Sequence, residues 1–271
     1  MYKIILTAVI MVLSGCAAEN TRPFIVAHRG ASHDAPENTI PAFLLAWEQG
    51  ADAIEGDFFL TKDGEIVCFH DANTRRLSGK DMLVSNATLE ELRLLDVGTW
   101  KGQQWEGTGM PTLAEVFQLV PDDKKIFVEI KSGTEIMTKL YDEIDNSGLR
   151  TDQIVIISFN SEVIREIKLN RPEHKAYWLS GLTRDDNGQI SPGIETIIET
   201  LDATLADGFS SHYLHVSDEY IARIKAEGYE YHVWTVNDPE IAADLWQRGI
   251  LSVTTDLPGL TREYFEDLKG N

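Results

Sequence analysis

The residues able to do chemistry come in small groups, each closing an apolar run. Phe24-Ile25-Val26-Ala27 leads into His28-Arg29, and Ala53-Ile54 into Glu55-Gly56-Asp57. Ile66-Val67-Cys68-Phe69 leads into His70-Asp71, and Phe127-Val128 into Glu129-Ile130-Lys131. Later, Ser158 follows Ile157, Thr235 and Asn237 flank Val236, and Asp256 follows Thr255. Glu55 and Asp57 stand two apart, as do Glu129 and Lys131, so in extended chain each pair shares a face. Three carboxylates on neighbouring strand ends repel one another unless a cation lies between them. Their hard oxygen ligands suit Mg²⁺ or Ca²⁺ better than zinc. Two histidines that titrate near neutrality can supply a general base and a general acid. Arg29 offers a planar fork to an anionic oxygen and Lys131 a point charge. Metal, histidines and cations together suit hydrolysis of a phosphate ester. Taken singly, a Glu or Lys at a strand end is a solvated rim residue; only the joint pattern lifts these above that reading. His33, His174, His212, His215 and His232 lack such settings. Trp234 is core filler unless its side chain leans to the open face.

The elements that must position these groups alternate along the chain. β-Branched runs fall at residues 24–27, 53–58, 66–69, 126–130, 154–158, 175–179, 203–206, 231–236 and 251–255. Helical patterns fall at 39–49, with Asn38 as N-cap, and at 136–146, 161–170, 195–201, 217–227, 239–247 and 260–268. Strand–helix alternation over this length predicts an α/β fold with a parallel sheet. In a parallel barrel every strand ends on one face, so the polar endings would converge there. Two segments break the rhythm. Thr61-Lys62-Asp63-Gly64 leaves no room for a helix, and residues 75–110 read as a polar insertion holding one helix at 88–95. The runs number nine where a closed eight-fold barrel needs eight; one is surplus, and 203–206 is the weakest.

Composition bounds the rest. The 271 residues carry a formal net charge of −20 with no long Lys/Arg run, which excludes a basic nucleic-acid footprint. A 43% hydrophobic content supports a real core and excludes disorder. Lys3, an apolar run over residues 4–13 and Leu13-Ser14-Gly15-Cys16 describe an export signal too short to span a membrane. The ending is similar to the lipobox of bacterial lipoproteins, which implies a signal peptide at 1–15 and lipidation at Cys16. A short linker to residue 23 then leads to one domain over 24–271. The expected location is exported and membrane-anchored, facing the periplasm or cell surface. Ala17, rather than Asp, hints at outer-membrane sorting. Cys68 is then left as a reduced core thiol.

His28-Arg29-Gly30, Pro36-Glu37-Asn38-Thr39, Glu55-x-Asp57, Leu60-Thr61-Lys62-Asp63-Gly64 and His70-Asp71 stand in the order and spacing of the glycerophosphodiester phosphodiesterase family. Pro111-Thr112-Leu113, Glu129-Ile130-Lys131, Ser158-Phe159, Trp234-Thr235-Val236-Asn237 and Thr255-Asp256-x-Pro258 extend the resemblance to nearly the whole chain after the signal. The resemblance implies a distorted TIM (β/α)8 barrel with a small insertion after the third strand and no second helix. It implies that Glu55, Asp57 and Glu129 bind one divalent cation, Mg²⁺ or Ca²⁺, and that His28 and His70 are the acid/base pair. It further implies that Arg29 and Lys131 hold phosphate, Glu37 supports the first loop and Trp234 lines the pocket. The implied reaction is hydrolysis of a glycerophosphodiester to sn-glycerol 3-phosphate and an alcohol. The nucleophile is either water or the glycerol 2-hydroxyl through a cyclic phosphate. Phe58-Phe59 and Asn160 depart from the family's commoner residues and are expected to reshape the pocket. A lysophospholipase D-type activity, with Phe58 and Phe59 seating an acyl chain, is one alternative. A lipoprotein that captures phosphodiesters without cleaving them is another. No protein partner is implied.

Overall fold

The structure is a computed structural model and describes residues 22–270. The lipobox and Cys16 lie outside the described residues. Eight parallel strands close on themselves: β1 (Phe24–Ala27), β2 (Ala53–Leu60), β4 (Lys125–Ile130), β5 (Ile154–Ser158), β6 (Lys175–Ser180), β9 (Gly208–His212), β10 (Glu230–Trp234) and β11 (Ser252–Thr255). β1 pairs with β11 on one side and β2 on the other, which shuts the barrel. A ninth strand, β3 (Ile66–Cys68), runs antiparallel beside β2 outside the ring. A two-stranded hairpin, β7 (Thr183–Arg184) and β8 (Ile190–Ser191), stands apart.

Helices cover the outside: α1 (Ile40–Glu48), α4 (Leu113–Phe117), α5 (Met137–Asn146), α6 (Ser161–Asn170), α7 (Ile194–Thr204), α8 (Asp218–Ala226), α9 (Pro239–Gln247) and α10 (Pro258–Gly270). Two four-residue helices, α2 (Arg75–Ser78) and α3 (Leu89–Leu92), lie between β3 and α4. α3 is shorter than the 88–95 expected; Thr88 caps it in a reciprocal capping box with Glu91. No helix of the described residues is long and apolar enough to cross a membrane.

Eight of the nine expected runs are strands, and the one surplus to the barrel is β3. Residues 203–206 are not a strand. They form the end of α7 and a turn through Leu205, whose φ of +58° is left-handed. The true strand is Gly-Phe-Ser-Ser-His at 208–212, whose polar alternate residues hide its strand character. α1 is capped by Thr39, whose Oγ1 accepts from Ala42 N–H, and not by Asn38. Asn38 adopts a φ of +58° and turns its side chain into the site.

Three apolar clusters explain the sequence pattern. One fills the layer between strands and helices, with residues such as Ile54, Phe58, Ile126, Val128 and Ile156. A second, Val26, Ala53, Phe127, Val155, Ile157, Tyr177 and Leu179, fills the barrel interior. A third binds the 75–110 segment to β3 through Val67, Phe69, Leu77, Leu92 and Met110. Because strand residues alternate in and out, the interior set fixes which later residues face inward. Counting in twos, Val26 leads to His28, Ala53 to Glu55 and Asp57, and Phe127 to Glu129.

Candidate active site

Strand register places the acidic groups side by side. Asp57 pairs directly with Glu129 across β2 and β4, and Glu55 lies one inward position lower. All three are buried, and one carboxylate oxygen from each lies within 4.8 Å of the others. Burial pushes the Glu55 carboxyl well above its usual range, and the neighbouring Asp57 and Glu129 push it further. Burial and then Asp57 raise Glu129 to about 7, against the opposing pull of Lys131. Asp57 is held low: burial opposes this, but Arg29 and Lys131 outweigh it. Glu55 Oε1 is buried with no hydrogen-bond partner among the described residues. A converging oxygen set with an orphaned acceptor and two carboxyls reluctant to ionise fits a hard divalent cation.

The two histidines come to this triad from different strands, β1 and β3. His28 extends β1, and its N–H donates to Thr255 O at 2.9 Å. Ala27 pairs with Ile54 on one side and Thr255 on the other, so the next step sets His28 level with Glu55 and Asp256. His28 Nδ1 lies 2.6 Å from Asp256 Oδ1. Asp256 Oδ1 also accepts from Ser32 Oγ at 2.9 Å, and its Oδ2 from Asn237 Nδ2 at 2.7 Å. Burial would raise the Asp256 carboxyl, but His28 and these donors hold it far below its usual range. Contrary to the expected parallel ending, His70 does not arrive on a rising strand. β2 overshoots the barrel rim, turns at Thr61–Gly64, where Gly64 has a φ of +84°, and descends as β3. Phe69 N–H then donates to Asp57 O at 2.8 Å, which brings His70 to the rim. His70 Nδ1 lies 2.7 Å from Asp71 Oδ1. Burial lowers the His70 pKa, aided by the cations Arg29 and Lys131.

The cations are laced into the carboxylates. Arg29 has a left-handed φ of +55°, and its backbone N–H donates to Glu55 Oε2 at 2.9 Å. Its Nη1 donates to Glu37 Oε1 at 3.0 Å. Its Nε lies 3.2 Å from Asp57 Oδ2, an ion pair not aligned as a hydrogen bond. Gly30 follows with a φ of +80°, and a Cβ there would sit 2.5 Å from the carbonyl carbon of Ala42, so only glycine lets this loop rest on α1. Lys131 Nζ reaches Glu129 Oε1 at 2.7 Å and Asp57 Oδ1 at 3.3 Å. Glu37 is shared between Arg29 and Arg76, the latter bonded at 2.7 and 3.0 Å.

Trp234 leans into the interior. With His28, Glu55 and Glu129 it borders a small cavity, and it meets the rings of Phe159 and His212 edge-on at 5.5 and 5.3 Å. Other expectations change. Phe58 is fully buried between β2 and the helix layer, because its strand position faces outward. Phe59 packs against the 75–110 cluster. Neither lines the mouth. Ser158 is buried and donates to Ile130 O, while Asn160 caps α6 by accepting from Glu162 N–H. Their work is to shape the β5–α6 turn, though both border a side cavity with Glu129, Lys131 and Phe159. The sequence assigns no role in the site to three contributors. Asn38 donates to Asp57 Oδ2 at 2.7 Å and accepts its N–H at 3.1 Å. Arg76 lies inside a segment that reads only as an insertion. Asp256 is visible as a strand ending but not as a partner of His28.

Fold and site together define a TIM-barrel enzyme whose mouth joins carboxylates, cations and two carboxylate-held histidines. The sequence matches the Glycerophosphoryl diester phosphodiesterase family over residues 28–260, and the chain belongs to that family. It is 34% identical to a glycerophosphodiester phosphodiesterase of Caldanaerobacter subterraneus subsp. tengcongensis over 244 residues, 88% of this chain and 95% of that protein. Among solved structures, it resembles an Oleispira antarctica phosphodiesterase in complex with the product sn-glycerol-3-phosphate. That likeness has a TM-score of 0.81 and 27% identity, covering 90% of this chain and 97% of the other. The glycerophosphodiester phosphodiesterase of Thermotoga maritima is 31% identical with a TM-score of 0.72, covering 90% and 98%.

Proposed function

We propose that this chain hydrolyses glycerophosphodiesters to sn-glycerol 3-phosphate and an alcohol, with His28 and His70 moving the protons. The observation that carries the reading is the meeting of both histidines, Arg29, Lys131 and the Glu55–Asp57–Glu129 triad at one mouth of the barrel. Arg29 and Lys131 orient the anionic phosphodiester. An oxygen, from water or the glycerol 2-hydroxyl, forms the new bond to phosphorus and gives its proton to one histidine. The bond from phosphorus to the alcohol oxygen breaks, and the other histidine protonates the leaving alkoxide. On the 2-hydroxyl route a water then adds to phosphorus and breaks its bond to O2, which takes back a proton, to give sn-glycerol 3-phosphate. Glu55, Asp57 and Glu129 would hold one Mg²⁺ or Ca²⁺, which when bound supplies Lewis-acid polarisation of the phosphate. Trp234 and Phe159 form the apolar wall beside the leaving group.

A panel of glycerophosphocholine and lysophosphatidylcholine, with EDTA and metal add-back, tests the reading. Release of sn-glycerol 3-phosphate from the first, lost in EDTA and restored by Mg²⁺ or Ca²⁺, is expected. Preferential cleavage of the lysolipid would instead support the lysophospholipase D-type reading. Intact ester in a single-turnover assay would make the protein a binder, and activity unchanged in EDTA would remove the metal.

We also propose that the chain is exported and lipidated at Cys16, supported by Leu13-Ser14-Gly15-Cys16 after a short apolar run. Wild-type protein should incorporate labelled palmitate and sediment with membranes, and Cys16→Ala should do neither. Equal labelling of the two would refute the anchor.

A further inference from the structure

We propose that Arg76 is a positioning residue whose single guanidinium fixes both Arg29 and His70. This rests on the roles proposed above for those two residues. Arg76 stands on α2, in the segment inserted between β3 and α4. Two of its nitrogens fork onto Glu37: Nη1 to Oε2 at 3.0 Å and Nη2 to Oε1 at 2.7 Å. Its Nε donates to Asp71 Oδ2 at 2.5 Å. Beyond Glu37, Oε1 also accepts from Arg29 Nη1 at 3.0 Å. Beyond Asp71, Oδ1 meets His70 Nδ1 at 2.7 Å. A continuous chain of charge-assisted contacts therefore runs from Arg29 through Glu37, Arg76 and Asp71 to His70.

The geometry assigns each link a task. Glu37 is nearly buried, and a buried carboxylate facing Arg29 alone would compete with substrate phosphate for its guanidinium. Arg76 satisfies both Glu37 oxygens, which leaves the Arg29 fork shared and turned to the mouth. Asp71, tied by Nε, keeps one oxygen on His70 Nδ1, so the ring's other nitrogen stays aimed at the site. Only a planar guanidinium supplies three donors to two carboxylates in this way; an ammonium is a point charge. Arg76 is itself 42% exposed and opens onto a shallow groove lined by Asp71, Asn73, Arg75 and Asp81. Because Glu37 is buried, the Arg76 pair also contributes to the fold, and alignment is told apart from stability by the turnover of the folded variant. The 75–110 segment thereby contributes to the reaction without touching substrate.

The test is a double-mutant cycle on glycerophosphocholine turnover with Arg76→Ala, His70→Ala, Arg29→Ala and the pairs Arg76→Ala/His70→Ala and Arg76→Ala/Arg29→Ala. Arg76→Ala alone should lower kcat by roughly 10–100-fold, as loss of an outer-shell orienting partner does. Millimolar methylguanidinium, entering through the open groove, should restore part of the turnover. Added to His70→Ala, the same change should cost less than about threefold further, because coupled residues are not additive. If Arg76→Ala folds poorly, Arg76→Lys decides, with kcat expected between those of wild type and a complete loss, roughly fivefold down or more. Wild-type kcat in Arg76→Ala or Arg76→Lys would overturn the inference alone. So would losses that multiply fully in both the His70 and Arg29 backgrounds. Wild-type turnover in His70→Ala or Arg29→Ala would overturn the underlying reading of the site, and this inference with it.

Discussion

His28 and His70 are held alike. Each presents Nδ1 to a carboxylate, at 2.6 Å from Asp256 and 2.7 Å from Asp71, and each leaves its other ring nitrogen for the mouth. In the proposed roles, a carboxylate there would fix the ring's orientation and tautomer and stabilise an imidazolium formed during proton transfer. Asp256→Asn keeps the size of the side chain but offers Nδ1 a neutral partner. Its kcat should fall roughly 10²-fold, the order that general acid–base catalysis contributes, with KM changed far less. Asn237→Ala, which removes the donor to Asp256 Oδ2 and leaves the His28 and Ser32 contacts in place, should lose much less. Equal losses in the two variants would mean that Asp256 matters through the loop it braces. The two dyads are unequally legible in the sequence. Asp71 is the next residue after His70 and can be read with it. Asp256 lies 228 residues from His28, and only closure of β1 onto β11 brings them together. Asn38 shows the same limit: its backbone turns left-handed, so a residue with the look of a helix cap becomes a support for Asp57.

At the scale of elements, the site follows from alternation. The interior faces of β1, β2 and β4 each begin with packing residues and end with chemical ones: Val26 then His28, Ala53 then Glu55 and Asp57, Phe127 then Glu129. Period-two spacing alone makes the shared face of Glu55 and Asp57 legible in the sequence. The same periodicity explains why Phe58 cannot seat an acyl chain, since it faces the helix layer where Asp57 faces the mouth. What alternation hides is direction. The run 66–69 looks like any other barrel strand, yet the four-residue turn before it leaves no crossover helix, and a strand that returns directly must be antiparallel. His70 reaches the rim by descending, and the segment after it becomes free to build the third apolar cluster and to send Arg76 back toward Glu37. β9 is hidden for the opposite reason. Gly208, Ser210 and His212 give it little apolar signal, while the helical end of α7 just before it is rich in Ala, Thr and Leu.

At the scale of the whole molecule, a carboxylate at each end of the barrel is shifted in the opposite direction. At the mouth, burial and Asp57 raise Glu129 to about 7 from an ordinary 4.5. At the foot, Glu230 opens β10. Burial would raise it, but His232, Tyr177 and Lys175 draw it down to about 2. Tyr177 Oη and Lys175 Nζ lie 2.5 and 2.9 Å from its oxygens. Linkage gives the signs. For Glu230 the folded pKa lies below the unfolded one. Its contribution is therefore full above about 4.5 and is lost as pH falls through about 2. For Glu129 the folded pKa lies above the unfolded one. Its ionisation therefore works against the fold, and increasingly so, as pH rises from about 4.5 through about 7, unless a cation offsets it. Melting temperatures in EDTA across this range should separate the two. Glu230→Gln should melt below wild type at neutral pH, with the gap closing as pH falls from about 4.5 toward about 2. Glu129→Gln should melt above wild type at about pH 8, with the gap closing as pH falls toward about 4.5. Adding Mg²⁺ or Ca²⁺ should raise wild type toward Glu129→Gln and leave the Glu230→Gln gap unchanged. A Glu129→Gln protein no more stable than wild type at about pH 8 in EDTA would show that Lys131 and Arg29 already neutralise the mouth. The acidic triad would then need no cation to fold around.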